Sequence, residues 1–274
     1  MPREHRYAVN LSMVFTEIPF LRRFDAAVRA GFEAVEFMWP SKEQLEDKSI
    51  AKFGDHILAA GVRVGLFNFD AGDMTKGFRG IAAVPSESRA FRANVPIALE
   101  LAAKIGCGRL NVLAGNAQAA DRPEALACLN DNLRYAAELA SGAGVSVMLE
   151  ALNPAEFPDF LIQDSNTAIK ALRRVGCDNV RYQVDLYHAT MAGEDPVALI
   201  LAHGPKIGHV QFADCPGRHE PGTGLVNWRR VLEALERIRY DEWIGLEYKP
   251  TNPSAPDFGF LQAIDGQLRF TAHS

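Results

Sequence analysis

Cysteine is scarce in this sequence: Cys107, Cys128, Cys177 and Cys215 are the only four, far apart and with no C-x-x-C pair. In a chain of 274 residues that spacing excludes a small disulfide-stapled scaffold and reads as reduced thiols or core filler. Long apolar runs are missing as well. Nothing approaches the roughly 18 residues of a membrane span, and Met1 to Asn10 is polar, without the apolar centre of a signal peptide. The expectation is a cytoplasmic protein with no membrane partner. An excess of basic charge is also absent, since 29 Lys and Arg stand against 34 Asp and Glu for a net charge of -5. Nothing draws in a polyanion globally, which disfavours a nucleic-acid partner. No G-x-G-x-x-G turn follows the first apolar run, and no Pro/Gly/Ser linker or low-complexity stretch divides the chain. The first absence removes the signal of a doubly wound dinucleotide fold.

What is present is a regular alternation. Short apolar runs occupy Tyr7–Leu11, Ala34–Phe37, Arg63–Phe67, Arg109–Leu113, Ser146–Glu150, Val180–Asp185, Ile207–Gln211 and Ile244–Glu247. They are rich in Val, Ile, Leu and Phe with few interior charges, as parallel strands buried on both faces require. Between them lie stretches with apolar residues near a 3.6 period: Ile18–Ala30, Phe91–Ile105, Pro123–Ser141, Ser165–Val175, Pro196–Ala202 and Trp228–Ile238. Several run into a glycine suited to the position after a helix, Gly61, Gly142 and Gly176 among them. Asp164 or Ser165 and Asn227 fit N-caps. Strand and helix recurring eight times over a length close to the ~250 residues of a (β/α)₈ barrel predict an α/β TIM barrel, with residues 1–274 as one domain. A doubly wound open sheet is the structural alternative.

In such barrels catalytic groups stand at the C-terminal ends of strands, where the βα loops gather. The fifth strand ends in Glu150, the sixth in Asp185 and the eighth in Glu247, and the seventh offers Gln211 and Asp214. Any one of these serves equally well as a helix cap. Four consecutive strands ending on one rim in carboxylate or amide are not what packing asks for, and buried unpaired carboxylates are costly. They point to a cation. An all-oxygen set suits Mg²⁺ or Mn²⁺ better than zinc. Such an ion can hold adjacent carbonyl and hydroxyl oxygens while one carboxylate removes the proton between them and a second returns one. Hydrolysis by metal-bound water stays open on these residues alone.

At these positions the chain resembles the hydroxypyruvate isomerase family, within the xylose isomerase-like barrels, over nearly its whole length. The resemblance is carried by Asn10-Leu-Ser-Met-Val-Phe-Thr-Glu-Ile-Pro-Phe-Leu21, Ala30-Gly-Phe-Glu-Ala-Val-Glu36 and the glycine-rich stretch Phe67 to Gly80. It continues through Leu149-Glu-Ala-Leu-Asn153, Gln183-Val-Asp-Leu-Tyr-His188, Gly208 to Gly224 and Gly245-Leu-Glu-Tyr-Lys-Pro250, with Gly217-Arg-His-Glu-Pro the most specific segment. It implies that Glu150, Asp185, Gln211 and Glu247 hold a divalent metal and that Glu150 and Glu247 form the acid/base pair. It implies substrate contacts from His188, from Arg218 with its bidentate fork, and from Lys249 on the carboxylate. His219 and Glu220 are expected to shape their loop. Asp73 and Arg79 either close over the mouth or stabilise a turn.

The resemblance implies isomerisation of a small 2-keto acid, hydroxypyruvate to tartronate semialdehyde. A 2-oxo-tetronate isomerase needs only a different pocket wall. A sugar 3-epimerase of the same superfamily carries histidine where this chain has Gln211. An apurinic-site endonuclease would need a zinc cluster richer in histidine, and a non-catalytic sugar-binding barrel would need no chemistry. Two positions depart from the family pattern. Phe37-Met-Trp-Pro-Ser-Lys and Gly224-Leu-Val-Asn-Trp lack the acidic residue usual after the proline and after the glycine. The oligomeric state is left open, a homo-oligomer included.

Overall fold

A computed structural model describes residues 5–265 of the chain. Eight parallel strands close into a barrel in chain order: β1 Arg6–Asn10, β2 Ala34–Phe37, β3 Arg63–Asn68, β4 Arg109–Val112, β5 Ser146–Glu150, β6 Val180–Asp185, β7 Ile207–Phe212 and β8 Trp243–Leu246. The outer ring comprises α1 Arg22–Arg29, α2 Ile50–Ala60, α3 Ser88–Ile105, α4 Arg122–Gly142, α5 Ser165–Val175, α6 Leu186–Met191, α7 Pro196–His203 and α8 Trp228–Arg237, followed by α9 Phe260–Asp265. All eight expected strands are present, with ends shifted by one residue at β1, β3, β4, β7 and β8. Among the described residues no helix is long and apolar enough to cross a membrane.

Successive side chains of a strand face opposite sides, and the sequence uses the two sides differently. Outward residues such as Val9, Val35, Phe37, Val147, Leu149, Val184, Val210 and Leu246 are buried against the helices. An aromatic cluster of Phe20, Phe24, Phe37 and Phe53 ties α1 and α2 to β2, with ring centroids 5.4–6.3 Å apart. Inward residues are polar instead: Asn10, Glu36, Asn111, Glu150, Gln183, Asp185, His209 and Gln211 are all buried. The barrel interior is thus a hydrogen-bonded column whose upper end is the rim of β5 to β8.

Helix ends follow local chemistry. Asp164 caps α5 by accepting from the Thr167 N–H at 2.6 Å, and Asn227 caps α8 through the Arg230 N–H at 3.2 Å. Gly61 and Gly176 take the left-handed conformation after α2 and α5. Gly142 does not, because α4 runs through it and the left-handed residue is Gly144.

Candidate active site

The parallel register sets the rim. Glu150 pairs with Gln183, Asp185 with Gln211, and Gln211 with Gly245. The end residues of β5 and β6 therefore reach the mouth together, and Glu247 follows one residue beyond β8, its N–H bonded to the Phe212 carbonyl at 3.1 Å. Glu150, Asp185 and His188 come close enough that one ligand atom from each lies within 4.8 Å of the others. Arg218 joins the remaining carboxylate to them. Its Nη2 donates to Asp185 Oδ2 at 3.0 Å and to Glu247 Oε2 at 2.5 Å. Gln211, the register partner of Asp185, donates from Nε2 to Glu36 Oε2 at 2.9 Å and accepts at Oε1 from Gln183 Nε2 at 2.7 Å.

Electrostatics separates these groups. Burial, reinforced by the Asp185 charge, pushes the Glu150 carboxyl up to about 8, against the Asn111 amide that donates to its Oε2 at 2.7 Å. Burial raises Glu247 well above the usual carboxylate range despite Arg218 beside it and an amide bond from Asn10 at 3.1 Å. Arg218 is held above its ordinary value, because Glu247 and Asp185 outweigh the cost of burying it. Three carboxyls gather around one guanidinium, and the Asp185 and Glu247 oxygens facing Arg218 already accept a cationic group. Asp185 keeps Oδ1 occupied as the cap of α6, accepting from the Tyr187 N–H at 2.8 Å. Its Oδ2 faces the mouth. Glu150, Asp185 and His188 are thus the buried group that could hold a metal ion.

His188 has its tautomer set by the backbone. The Asn153 N–H, which can only donate, points at His188 Nδ1 at 3.3 Å, and the Asn153 side-chain nitrogen lies 2.8 Å from the same atom. The proton of the neutral ring therefore sits on Nε2, which is 3.7 Å from Asp185 Oδ2. Burial lowers the imidazole to about 4, so the ring is neutral near pH 7. His188 Nε2 is consequently a hydrogen-bond donor on the Asp185 side of the ring. Lys249 is exposed, and its contacts on this loop run through its backbone: its N–H donates to the Arg218 carbonyl at 2.7 Å, and its carbonyl meets His219 Nδ1 at 2.8 Å.

Asp214, the other strand-seven candidate, is an anchor rather than a rim group. Fully buried, it accepts from the N–H groups of Cys215, Gly222 and Val226 and from Trp228 Nε1, at 2.7–3.1 Å. Burial alone raises such a carboxyl, but the Trp228 and backbone donors outweigh it and hold Asp214 below the usual range. The loop it ties carries Arg218, a non-glycine residue with φ of 58°, a strained conformation that its surroundings must enforce. Asp214→Ala leaves several buried donors unpaired and is expected to cost roughly 2–4 kcal/mol, read by urea denaturation, and to raise KM as Arg218 loses its seat. Because the folded carboxyl is depressed, this stability is present above the unfolded pKa and disappears as pH falls through the folded one.

Loop-shaping by Glu220 and His219 is visible as well, with Glu220 Oε1 accepting from the Thr251 N–H at 2.9 Å. Asp73 and Arg79 stabilise their own turn. Asp73 accepts from the Thr75 N–H at 3.0 Å, and Arg79 donates to the Phe78 carbonyl at 2.7 Å. Asn10, Asn111 and Asn153 touch the rim groups, and Glu36 and His209 face each other inside the barrel, without having been singled out from sequence. Only their place near strand ends could have marked them.

The xylose isomerase-like TIM barrel model matches residues 24–265. The chain is 36% identical over 263 residues to the 2-oxo-tetronate isomerase of Cupriavidus necator, covering 96% of this chain and 99% of that one. It is 36% identical over 247 residues to the hydroxypyruvate isomerase of Escherichia coli, covering 89% of this chain and 93% of that one. The crystal structure described as AP endonuclease, family 2, from Brucella melitensis superposes with a TM-score of 0.87 at 34% identity, over 96% of this chain and 100% of that chain. The chain belongs to the xylose isomerase-like TIM barrel family, in its hydroxypyruvate isomerase branch. It is an enzyme of the isomerase class, as the Cupriavidus necator and Escherichia coli relatives are.

Proposed function

We propose that the chain interconverts hydroxypyruvate and tartronate semialdehyde through an enediol. The observation that carries this reading is the gathering of three carboxyls on one rim, Glu150 beside Asp185 and Glu247 joined to Asp185 through Arg218. Of two carboxyls flanking one substrate, one can take a proton while the other returns one. One of the two takes a proton from C3 of hydroxypyruvate, and the other delivers one to C2. The O–H proton of the C3 hydroxyl passes to the C2 oxygen, so the C2 carbonyl becomes a hydroxyl and the C3 hydroxyl an aldehyde, and the redox change is internal and needs no external electron carrier. His188 donates from Nε2 to a substrate oxygen, Arg218 binds the carboxylate, and Lys249 is the weaker anchor for it.

Glu150, Asp185, Gln211 and Glu247 would hold a divalent ion, Mn²⁺ or Mg²⁺. When bound, the ion supplies a Lewis acid for the two neighbouring substrate oxygens. The carboxylates of the mouth, already gathered around one guanidinium, support this assignment. A small-molecule keto acid, with no nucleic acid, is the partner this rim fits. A cytoplasmic, glyoxylate-related role is in keeping with that substrate. An endonuclease would need more histidines at the rim. Here His209 faces Glu36 inside the barrel and His219 lies on the Lys249 carbonyl.

The four-carbon reading deserves a direct comparison, because the chain is equally identical, at 36%, to isomerases named for the two substrates. Purified protein stripped with chelator and resupplied with Mn²⁺ or Mg²⁺ is expected to regain turnover of hydroxypyruvate, with solvent hydrogen entering the product. A rate confined to 2-oxo-tetronate would transfer the assignment to that acid. Three Zn²⁺ per chain would overturn the isomerase reading altogether.

A further inference from the structure

Glu36 is a carboxylate in an unexpected place. It lies on β2, fully buried in the barrel interior, where an aliphatic side chain would fill the layer at lower cost. The surrounding residues are arranged to keep it there. A Cβ at Gly245 would lie 2.3 Å from Glu36 Oε2 and 2.5 Å from Oε1, so the glycine of β8 leaves the space the carboxylate fills. His209 Nε2 lies 2.5 Å from Oε1. The free direction of Oε2 is taken by the Gln211 amide, which reaches across the barrel from β7 and donates from Nε2 at 2.9 Å.

We propose that Glu36 is a positioning residue that turns the Gln211 amide so that its carbonyl oxygen, and not its nitrogen, is offered as a metal ligand. This rests on the metal reading of the rim. A carboxylate accepts and does not donate, so it selects the NH₂ end of the amide. Flipping the amide would set two acceptor oxygens 2.9 Å apart in the dry interior. Gln183 cannot make the same selection, because its own amide can present either end, and its Oε1 has no partner in this arrangement. With Nε2 committed to Glu36, Gln211 Oε1 accepts from Gln183 and keeps a second lone pair. Glu36 thus does for Gln211 what a carboxylate behind a metal-binding histidine does for the ring.

The test is Mn²⁺ affinity of the chelator-stripped full chain, followed by paramagnetic resonance titration, for wild type, Glu36→Gln, Gln211→Ala and the double variant. Glu36→Gln is expected to weaken binding by about 10- to 100-fold. In the Gln211→Ala background the same substitution should change affinity by no more than about threefold, because the residue through which it acts is gone. A merely structural role predicts a lower melting temperature with unchanged Mn²⁺ affinity, or the same loss in both backgrounds. Either result overturns the proposal. Glu36→Asp carries the comparison if Glu36→Gln does not fold, since it keeps the charge but withdraws it from the amide. Absence of Mn²⁺ binding by wild type would instead bring down the metal reading, and this inference with it.

Discussion

Glu150→Gln is expected to leave a folded barrel whose turnover has fallen by about two to four orders of magnitude, and Glu247→Gln to do the same. Glutamine keeps the shape of each side chain and an oxygen to accept the Asn111 or Asn10 amide, so the packing of the rim survives. What disappears is the capacity to hold a proton. Removing one of the clustered charges also relieves the repulsion that raises Glu150 next to Asp185. The melting temperature of metal-free Glu150→Gln should therefore equal or exceed that of wild type. Two measurements separate proton transfer from ligand loss. Mn²⁺ content reports the ligand role, and exchange of the substrate C–H with deuterated solvent reports the base. A variant that retains metal but neither turns over nor exchanges has lost the proton acceptor. Near-normal rates in either variant would refute the acid/base assignment.

Why these two residues were legible in sequence, while others were not, follows from what sets each position. A parallel barrel needs strands buried on both faces, so the runs around Val147, Val184 and Val210 stand out by composition alone. A charged residue closing such a run is conspicuous. Its direction toward the mouth follows from the fold. The grouping of Glu150 with Asp185 was readable to that extent. Arg218 acting as the bridge between two carboxylates was not, because the bridge depends on a loop folded back by Asp214 and Glu220.

The polar column beneath the rim was hidden for a different reason. Glu36, Asn111, Gln183 and His209 lie within their strands, and the contacts of Glu36 with His209 and Gln211 run from β2 to β7, strands that are not neighbours in the sheet. Such contacts arise from barrel closure and leave no local pattern. Helix α2 was also missed. Its buried residues Phe53 and Ile57 keep helical spacing, but Gly54 interrupts it with a residue of low helix propensity. The glycine is there because α3 packs close, with Lys104 Cδ 2.8 Å from where a Cβ would stand. Gly142 illustrates the opposite error. Its place near the end of a helical stretch suggests a terminator, whereas α4 includes it and Gly144 takes the left-handed conformation.

Arg218→Leu offers the sharpest separation between substrate binding and charge balance at the rim. Losing a bidentate partner for the substrate carboxylate should raise KM by about 100-fold, the size of a charge-assisted hydrogen bond of about 3 kcal/mol. In metal-free protein the substitution also strands Asp185 and Glu247, which Arg218 bridges at 3.0 and 2.5 Å. Breaking a buried pair of this kind costs about 3–5 kcal/mol. Proton uptake by the already raised Glu247 limits the loss, so metal-free Arg218→Leu should regain stability as pH is lowered. Mn²⁺ should then stabilise the variant more than it stabilises wild type, because the ion replaces the missing positive charge and has no guanidinium to compete with. Thermal melts with and without Mn²⁺, set beside KM for the keto acid, read the two effects separately. A variant with unchanged KM would remove Arg218 from the substrate. A variant whose Mn²⁺ stabilisation is smaller than that of wild type would show that the guanidinium supports the cation site instead of standing in for its charge.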